Sequence, residues 1–397
     1  MNFAQALTAL MDEQGVSGCE LARRVHCDRS YIYRLRKGKQ PPSAKIAGRC
    51  DEVLGADGTL MALTDKPKPP LTRRSVLAAG LAVPLLGSVD TDRLAWAERH
   101  ASRVDGATVR SLTEVLAAQR HAEDALGSAA LLKPVEAQLA AVENLTTEAR
   151  GPVRLAVLDV AQQWAQFAAW LNVSTRHLAA ARARCRQTLE LAAEAGDATM
   201  TATVLHNRGW MALLAGKPGP MIGLAQAAQR DPRAAANERA LAADIEARGH
   251  AMTGDAATAE RKLGEAQDLA AQGQPARWSY WATPAYFDCM RGAALGYLAH
   301  IDRYRAQAIE ALTAGYVSLG PDLARSEWAA AYLMHRAAVH ARGGEVDEAC
   351  ADALRVVPIW RQANSTGLRE MLAEVHADLA ARYPGDARVK ELADALV

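Results

Sequence analysis

Five polar or charged side chains that can hydrogen-bond nucleobases or phosphates lie within six residues of one another, in the order Arg29-Ser30-Tyr31-Ile32-Tyr33-Arg34. An arginine guanidinium donates paired hydrogen bonds to a guanine edge or a phosphate, and the hydroxyls of serine and tyrosine bond the same groups. Arg23, Lys37 and Lys39 flank this cluster. From Gly18 to Arg49 the chain has nine Lys or Arg residues and two acids, whereas its overall net charge is +1. This asymmetry indicates a surface that contacts a polyanion. The alternative is a solvated basic face without a partner.

Four short helices are expected to position this cluster. The first ends at Gly15, Asp28 is a favourable N-cap for the third, Gly38 closes the third, and Ser43 caps the fourth. The second and third helices are expected at Gly18 to His26 and Arg29 to Lys37. Apolar positions at helical spacing predict a core that contains Phe3, Leu7, Leu10, Met11, Leu21, Ala22, Val25, Ile32, Leu35, Ile46, Ala47, Val53 and Leu54.

Two short helices joined by a tight turn, the second of them basic, form a helix-turn-helix. The stretch ELARRVHCDRSYIYRLRKGKQPPS, residues 20–43, resembles the lambda-repressor-like (XRE-type) helix-turn-helix. The matching elements are Leu21-Ala22, Val25, Ser30, Ile32, Arg34, Arg36-Lys37-Gly38 and Pro41-Pro42-Ser43. Three positions depart from the family: Gly18 where Gln is frequent, His26 where Gly forms the turn, and Arg36 where an acid is usual.

The resemblance covers about residues 3–60 and implies binding to double-stranded DNA, with the third helix in the major groove. Arg29 and Arg34 would then read guanine, while Lys37 and Lys39 would meet phosphate. The complete set of expected DNA contacts is Arg29, Ser30, Tyr31, Tyr33, Arg34, Lys37, Lys39 and Arg23.

A proline- and lysine-rich stretch, residues 64–74, predicts an exposed, semi-rigid spacer. The largely apolar residues 75–87 follow. Thr72 to Leu77 resembles a twin-arginine export signal, but a folded domain would precede it, and the apolar stretch is too short to span a membrane. We expect a buried connecting helix, with a membrane-surface anchor as the alternative.

From about Trp96 onward, helical patterns follow one another and break at Gly or Pro. The segment Gly254–Ala259 is echoed by Gly344–Ala349. Six helical hairpins are predicted: 152–171 with 175–195, 198–215 with 218–230, 233–253 with 256–272, 284–299 with 304–319, 323–342 with 345–363, and 365–382 with 385–397. These units resemble tetratricopeptide (TPR) repeats, with Gly254 and Gly344 closing first helices and Ala247, Ala259, Ala337 and Ala349 at the crossings. Stacked repeats would form a superhelix with a concave surface.

The whole layout resembles actinobacterial regulators in which an XRE-type domain precedes a TPR-like array. The phrases that carry this resemblance are Ala165–Leu171, Glu194–Asp197, Tyr286–Asp288 and Tyr383–Asp386. It also resembles peptide-sensing regulators whose Asn and Arg side chains clamp a peptide in the groove. The expected effector-binding residues are Asn207, Arg248, Trp210, Tyr286 and Trp328, with packing between repeats as the alternative for each.

These observations predict an all-α protein with a helix-turn-helix domain at 1–63, a linker at 64–95 and a TPR-like α-solenoid at 96–397. We expect a cytoplasmic homodimer that binds DNA and a peptide, small-molecule or protein effector. The alternatives are an interaction scaffold and a membrane-associated sensor. The chain has no Gly-rich phosphate loop, H-E-x-x-H or nucleophile elbow, so we expect no catalytic residues. Its six cysteines lack C-x-x-C spacing, and we expect small buried side chains, no metal and no cofactor.

Overall fold

A computed structural model describes residues 3–38, 40, 42, 44–56, 60 and 104–397. Every regular element in these ranges is a helix, which confirms the all-α fold class. The chain divides into two compact units, Met1–Pro69 and Pro70–Val397, which are described separately below. The predicted linker and apolar stretch at 64–95, the Ser43 cap and Lys39 lie outside the described residues.

The N-terminal unit has four helices around one core. They are α1 (Phe3–Glu13), α2 (Gly18–Arg24), α3 (Arg29–Arg36) and α4 (Ala44–Val53). Helix α2 ends before the predicted His26, because His26 adopts a left-handed backbone conformation with φ of 54°. Most of the predicted core residues are buried, but Leu10, Ile46 and Val53 are only partly covered.

The described part of the C-terminal unit is a series of helical hairpins. Its helices are α5 (Gly106–Leu126), α6 (Ser128–Glu148), α7 (Val153–Ser174), α8 (Leu178–Ala195), α9 (Ala198–Leu214), α10 (Pro218–Gln229), α11 (Ala236–Met252), α12 (Ala256–Ala271), α13 (Pro284–Leu295), α14 (Asp302–Ser318), α15 (Gly320–Leu323), α16 (Glu327–Gly343), α17 (Val346–Ala363), α18 (Thr366–Arg382) and α19 (Ala387–Ala395), with a 3₁₀ turn at Gly296–Leu298. The six predicted hairpins are present with bounds shifted by a few residues. A further hairpin, α5 with α6, had not been paired from the sequence.

Small residues set the close approach of the helices within each hairpin. Gly254 and Gly344 follow α11 and α16 with φ of 81° and 82°, so the absence of a Cβ permits the turn that the sequence predicted. The side chains of Ala247, Ala259, Ala337 and Ala349 are completely buried where paired helices cross. These positions tolerate little added volume.

Helix α13, which carries Tyr286, crosses α14 at Gly315. A Cβ at Gly315 would lie 2.7 Å from the backbone nitrogen of Cys289 and 2.8 Å from the carbonyl oxygen of Ala285. We expect Gly315→Ala to destabilise the unit by about 1–3 kcal/mol, because backbone on α13 would have to move. The matched control is Gly264→Ala in α12, where a Cβ meets nothing within 4 Å and should stabilise by about 0.5–1 kcal/mol. Urea unfolding measures both, and equal effects would contradict this packing.

The C-terminal array closes on itself through contacts of its first hairpin, α5 with α6, with α16 and α17. The Ser128 N–H on α6 donates to Glu327 Oε2 over 2.9 Å, and Trp328 Nε1 donates to Asp124 Oδ1 over 2.9 Å. These bonds belong to a seam between the α5–α6 hairpin and the helices α16 and α17. Farther along this seam, Gln362 Nε2 donates to the Ala125 carbonyl over 3.2 Å. The unpredicted α5–α6 hairpin therefore packs against α16 and α17 and encloses the interior of the array.

All six cysteines are free thiols. Cys50, Cys185, Cys289 and Cys350 are buried as predicted, but Cys27 is only partly buried and Cys19 is exposed. The prediction fails at Cys19 because Leu21 and Ala22 occupy the inward positions of the short helix α2.

Candidate functional site

Two pairs of residues fix the orientation of α3 on the N-terminal unit. Asp28 Oδ1 accepts a hydrogen bond from the Ser30 N–H over 2.6 Å at the start of the helix, and hydrogen bonding from Ser30 lowers the pKa of Asp28. Ile32 and Leu35 are buried against the core. The opposite face of α3 is therefore turned to solvent, and its exposed residues are Arg29, Ser30, Tyr33 and Lys37.

Arg34 is held in place on this face by its neighbours. Its Nε donates to Gln40 Oε1 over 2.8 Å, and its Nη1 donates to Ser30 Oγ over 3.1 Å. The guanidinium carbon lies 5.9 Å from the centre of the half-buried Tyr31 ring. Two nitrogens of Arg34 thus have protein partners, and because a guanidinium carries five N–H donors, Arg34 can bond a base without losing them. Sequence reasoning missed Gln40, which comes next to Arg34 only through the turn at Gly38.

The remaining side chains predicted to contact DNA differ in whether they already have a hydrogen bond or an ion pair within the protein. Arg23 lies on α2 and its Nη2 donates to Glu20 Oε2 over 2.5 Å, so part of its charge is matched within the helix. Within the described residues, neither Arg29 nor Lys37 has a side-chain hydrogen bond or ion pair. The basic turn also contains Arg36. Its Nη2 lies 3.4 Å from Asp12 Oδ1, so its charge already has a partner within the protein.

The closed C-terminal array contains a chamber of about 350 Å³. Its aromatic lining is Trp170, Trp210, Trp281, Tyr286, Tyr297, Trp328 and Tyr332. The rings of Trp281 and Tyr286 are 4.7 Å apart between centroids, and Tyr286 and Trp328 are 5.7 Å apart. An adjoining space of about 50 Å³ shares Trp170, Trp210 and Tyr286 with it. The aromatic side chains therefore form one partly exposed wall.

Four of the five predicted effector-binding residues lie at this chamber or the adjoining space: Asn207, Trp210, Tyr286 and Trp328. The fifth, Arg248, is completely buried and does not line either space. Its Nε lies 3.2 Å from Asp244 Oδ2 and its guanidinium lies 5.2 Å from the centre of the Trp210 ring. Arg248 faces the interior between helices because Asp244, one turn earlier on α11, supplies its counter-charge.

Carboxylates missed by the sequence analysis lie beside the aromatic wall at the seam. Glu123 Oε1 accepts from Ser128 Oγ over 2.6 Å, and Glu327 Oε1 accepts from Ser365 Oγ over 2.5 Å. The pKa of Glu123 is raised to about 8, mainly by burial and in smaller part by the neighbouring charges of Asp124 and Glu327, while the bond from Ser128 lowers it. No local sequence signal places Glu123 near Glu327, since only closure of the array brings α5 to α16.

Two histidines are neutral: His206, which lines the adjoining space, and His335, which lines the chamber. Burial, followed by the nearby Arg248 charge, lowers the pKa of His206 to about 4 and that of His335 to about 3. Within the described residues, His206 Nε2 and Asn207 Nδ2 are buried without a hydrogen-bond partner. His206 and Asn207 both line the adjoining space.

In the described ranges, no three His, Cys, Asp or Glu side chains are grouped closely enough to hold a metal ion. No helix among those residues is long and apolar enough to cross a membrane.

Comparison with known proteins identifies the N-terminal unit. No curated protein matches the chain with significant similarity. The family model described as "Helix-turn-helix domain" matches residues 2–63. This match agrees with the geometry of α2 and α3, in which a short turn joins two helices and the second presents a polar, basic face. The N-terminal region of the chain is therefore a helix-turn-helix domain.

Proposed function

We propose that this protein is a sequence-specific DNA-binding transcriptional regulator. The observation that carries the proposal is the outward face of α3, on which Arg29, Ser30, Tyr33 and Lys37 are exposed and Arg34 is positioned beside them. A helix of this kind enters the major groove with its N-terminal residues at base edges. In this proposal Arg29 and Arg34 read guanine, Ser30, Tyr31 and Tyr33 contact edges or backbone, and Lys37, Lys39 and Arg23 contact phosphate.

The C-terminal unit is proposed to bind an effector, in the aromatic chamber instead of an open groove. A volume of about 350 Å³ favours a small molecule over an extended peptide. The buried, unpartnered polar atoms of His206 and Asn207 support a ligand site. We further propose that the array is of TPR type and the N-terminal domain of XRE type, and we assign no catalytic activity.

A homodimer is the proposed functional form, with two copies of α3 reading half-sites about one helical turn of DNA apart, roughly 34 Å. In vitro selection of randomised duplexes by the full-length chain tests the function directly. We expect the selected sequences to converge on two related half-sites that contain guanine. Failure of any sequence to be enriched over many rounds would contradict sequence-specific binding.

A further inference from the structure

The chamber of the C-terminal unit is lined by aromatic rings that come from separate parts of the array. The rings belong to Trp170 on α7, Trp210 on α9, Trp281, Tyr286 on α13, and Trp328 and Tyr332 on α16. Tyr286 meets Trp328 and Tyr332 edge to face, with centroids 5.7 and 5.8 Å apart. Packing of this kind leaves ring faces and edges toward a shared space, and the face of an aromatic ring attracts a cation.

Four acidic side chains line the same chamber, and one of them, Glu370, is paired with Arg176, which also lines it. Glu123, Glu327 and Glu374 all line it, and none of them forms an ion pair within the described residues. Glu123 is buried, and the Ser128 hydroxyl that donates a hydrogen bond to it is a neutral group. Glu327 is likewise bonded to the Ser128 N–H and the Ser365 hydroxyl, which are also neutral. The ionised form of a buried acid is favoured when a charge of opposite sign comes close to it.

The arginines near the chamber are already committed to partners. Arg176 Nε bonds to Glu370 Oε2 over 2.8 Å, and the buried Arg248 lies beside Asp244. Arg120 donates to the Gln163 carbonyl over 3.1 Å and to Gln166 Oε1 over 3.2 Å. Arg120 has only neutral partners, but it lines the adjoining space and not the chamber. An anionic ligand in the chamber would therefore meet acidic side chains without a free cation beside them.

We infer that the chamber takes an organic cation, an amine or quaternary ammonium with an apolar body, whose charge lies between Glu123, Glu327 and the rings of Trp170 and Trp328. This inference rests on the proposed function, in that it names the chemical class of the effector. The apolar body of the ligand would lie against Trp281 and Tyr286. The charged end would sit at the seam where the α5–α6 hairpin meets α16.

Isothermal calorimetry of the full-length protein with three matched probes tests the inference. The probes are (3-hydroxyphenyl)trimethylammonium, its neutral carbon analogue 3-tert-butylphenol, and the anion 3-tert-butylbenzoate. We expect the cation to bind about tenfold or more tightly than the neutral analogue, and the anion to bind most weakly.

Two variants locate the binding in the chamber. Glu123→Gln keeps an acceptor for the Ser128 hydroxyl but removes the ionisable group, and it should weaken cation binding about tenfold with little effect on the neutral probe. Trp328→Leu should lower the preference for the cation, because the ring face is lost. Glu114→Gln, at an exposed position of the same helix, is the control and should bind all probes like the wild type.

Equal affinity for the cation and its neutral analogue would overturn the inference, while the chamber would still stand as an effector site. Absence of binding for all three probes would overturn both the inference and the chamber as an effector site. Neither result would bear on DNA recognition, because the selection experiment measures that function separately.

Discussion

The Glu123→Gln variant is expected to be more stable than the wild type at pH 8 and nearly equal to it at pH 4.5. Burial is the largest cause that raises the pKa of Glu123 to about 8 from an ordinary value of 4.5. The charged groups that act on it are Asp124 on the same helix and Glu327 on α16, and Arg120 and Tyr280 line the adjoining space with it. The folded protein therefore holds a proton that the unfolded chain releases.

The direction of the pH effect follows from this raised pKa. The stability contributed by the bound proton is fully present below pH 4.5 and is lost as the pH rises through about 8. Glutamine imitates the protonated carboxyl and does not titrate. At pH 8 the free energy of unfolding of the variant should thus exceed that of the wild type by about 2–4 kcal/mol.

Urea unfolding at the two pH values, followed by tryptophan fluorescence, measures this difference. The exposed Glu114→Gln on α5 is the matched control, and its stability relative to the wild type should not change with pH. A Glu123→Gln variant whose stability relative to the wild type is no greater at pH 8 than at pH 4.5 would show that Glu123 is ionised without penalty.

The Arg29→Ala/Arg34→Ala double variant is expected to lose most of its selectivity for the duplexes enriched by the wild type. Each bidentate contact with guanine contributes about 1–3 kcal/mol of discrimination, so the pair should account for about 2–6 kcal/mol. Both side chains lie on the solvent side of α3, away from Ile32 and Leu35, and the domain should remain folded. Binding to scrambled DNA should fall much less.

Two further variants separate base reading from charge. Lys37→Ala should weaken binding about equally on selected and scrambled DNA and reduce the salt slope by about one unit, as loss of a phosphate contact does. Arg186→Ala, at an exposed position in the C-terminal unit, should leave both affinities unchanged. If the double variant keeps the selectivity of the wild type, α3 does not read the sequence.

Local signals in the sequence were sufficient for the N-terminal domain. Asp28 caps α3, Gly38 ends it with φ of 63°, and Ile32 and Leu35 define its buried side, all within one short segment. The left-handed conformation of His26 was also foreseeable, because His26 stands where the family that this stretch resembles has Gly in the turn. The bond from Arg34 to Gln40 was not, because it depends on how the chain leaves α3.

The C-terminal unit shows where local reasoning ends. Hairpin bounds were predicted from Gly and Ala at turns and crossings, because each hairpin buries its apolar face against its neighbours. The curvature of the array is the sum of many small rotations, and no single repeat specifies it. The contact of Ser128 with Glu327 joins residues 199 positions apart, so the closed chamber and its acids could not be predicted.

Tyr286 and Arg248 illustrate the same difference. Both are polar or aromatic residues on the first helices of hairpins, and the sequence predicts both as effector-binding residues. Tyr286 lines the chamber, whereas Arg248 is turned inward to Asp244. Helical periodicity places a residue on a face of its helix, but the neighbouring helices decide whether that face meets a cavity or a packed interior.

The most direct test of the central claim is a fluorescence-anisotropy titration of the wild-type protein against a selected duplex and a scrambled duplex of the same composition, at several salt concentrations. We expect the selected duplex to bind about 10³-fold or more tightly, with a preference that remains as salt weakens both complexes. Equal affinity for the two duplexes, falling steeply with salt, would mean that only counterion release holds the protein on DNA and would contradict sequence recognition by α3.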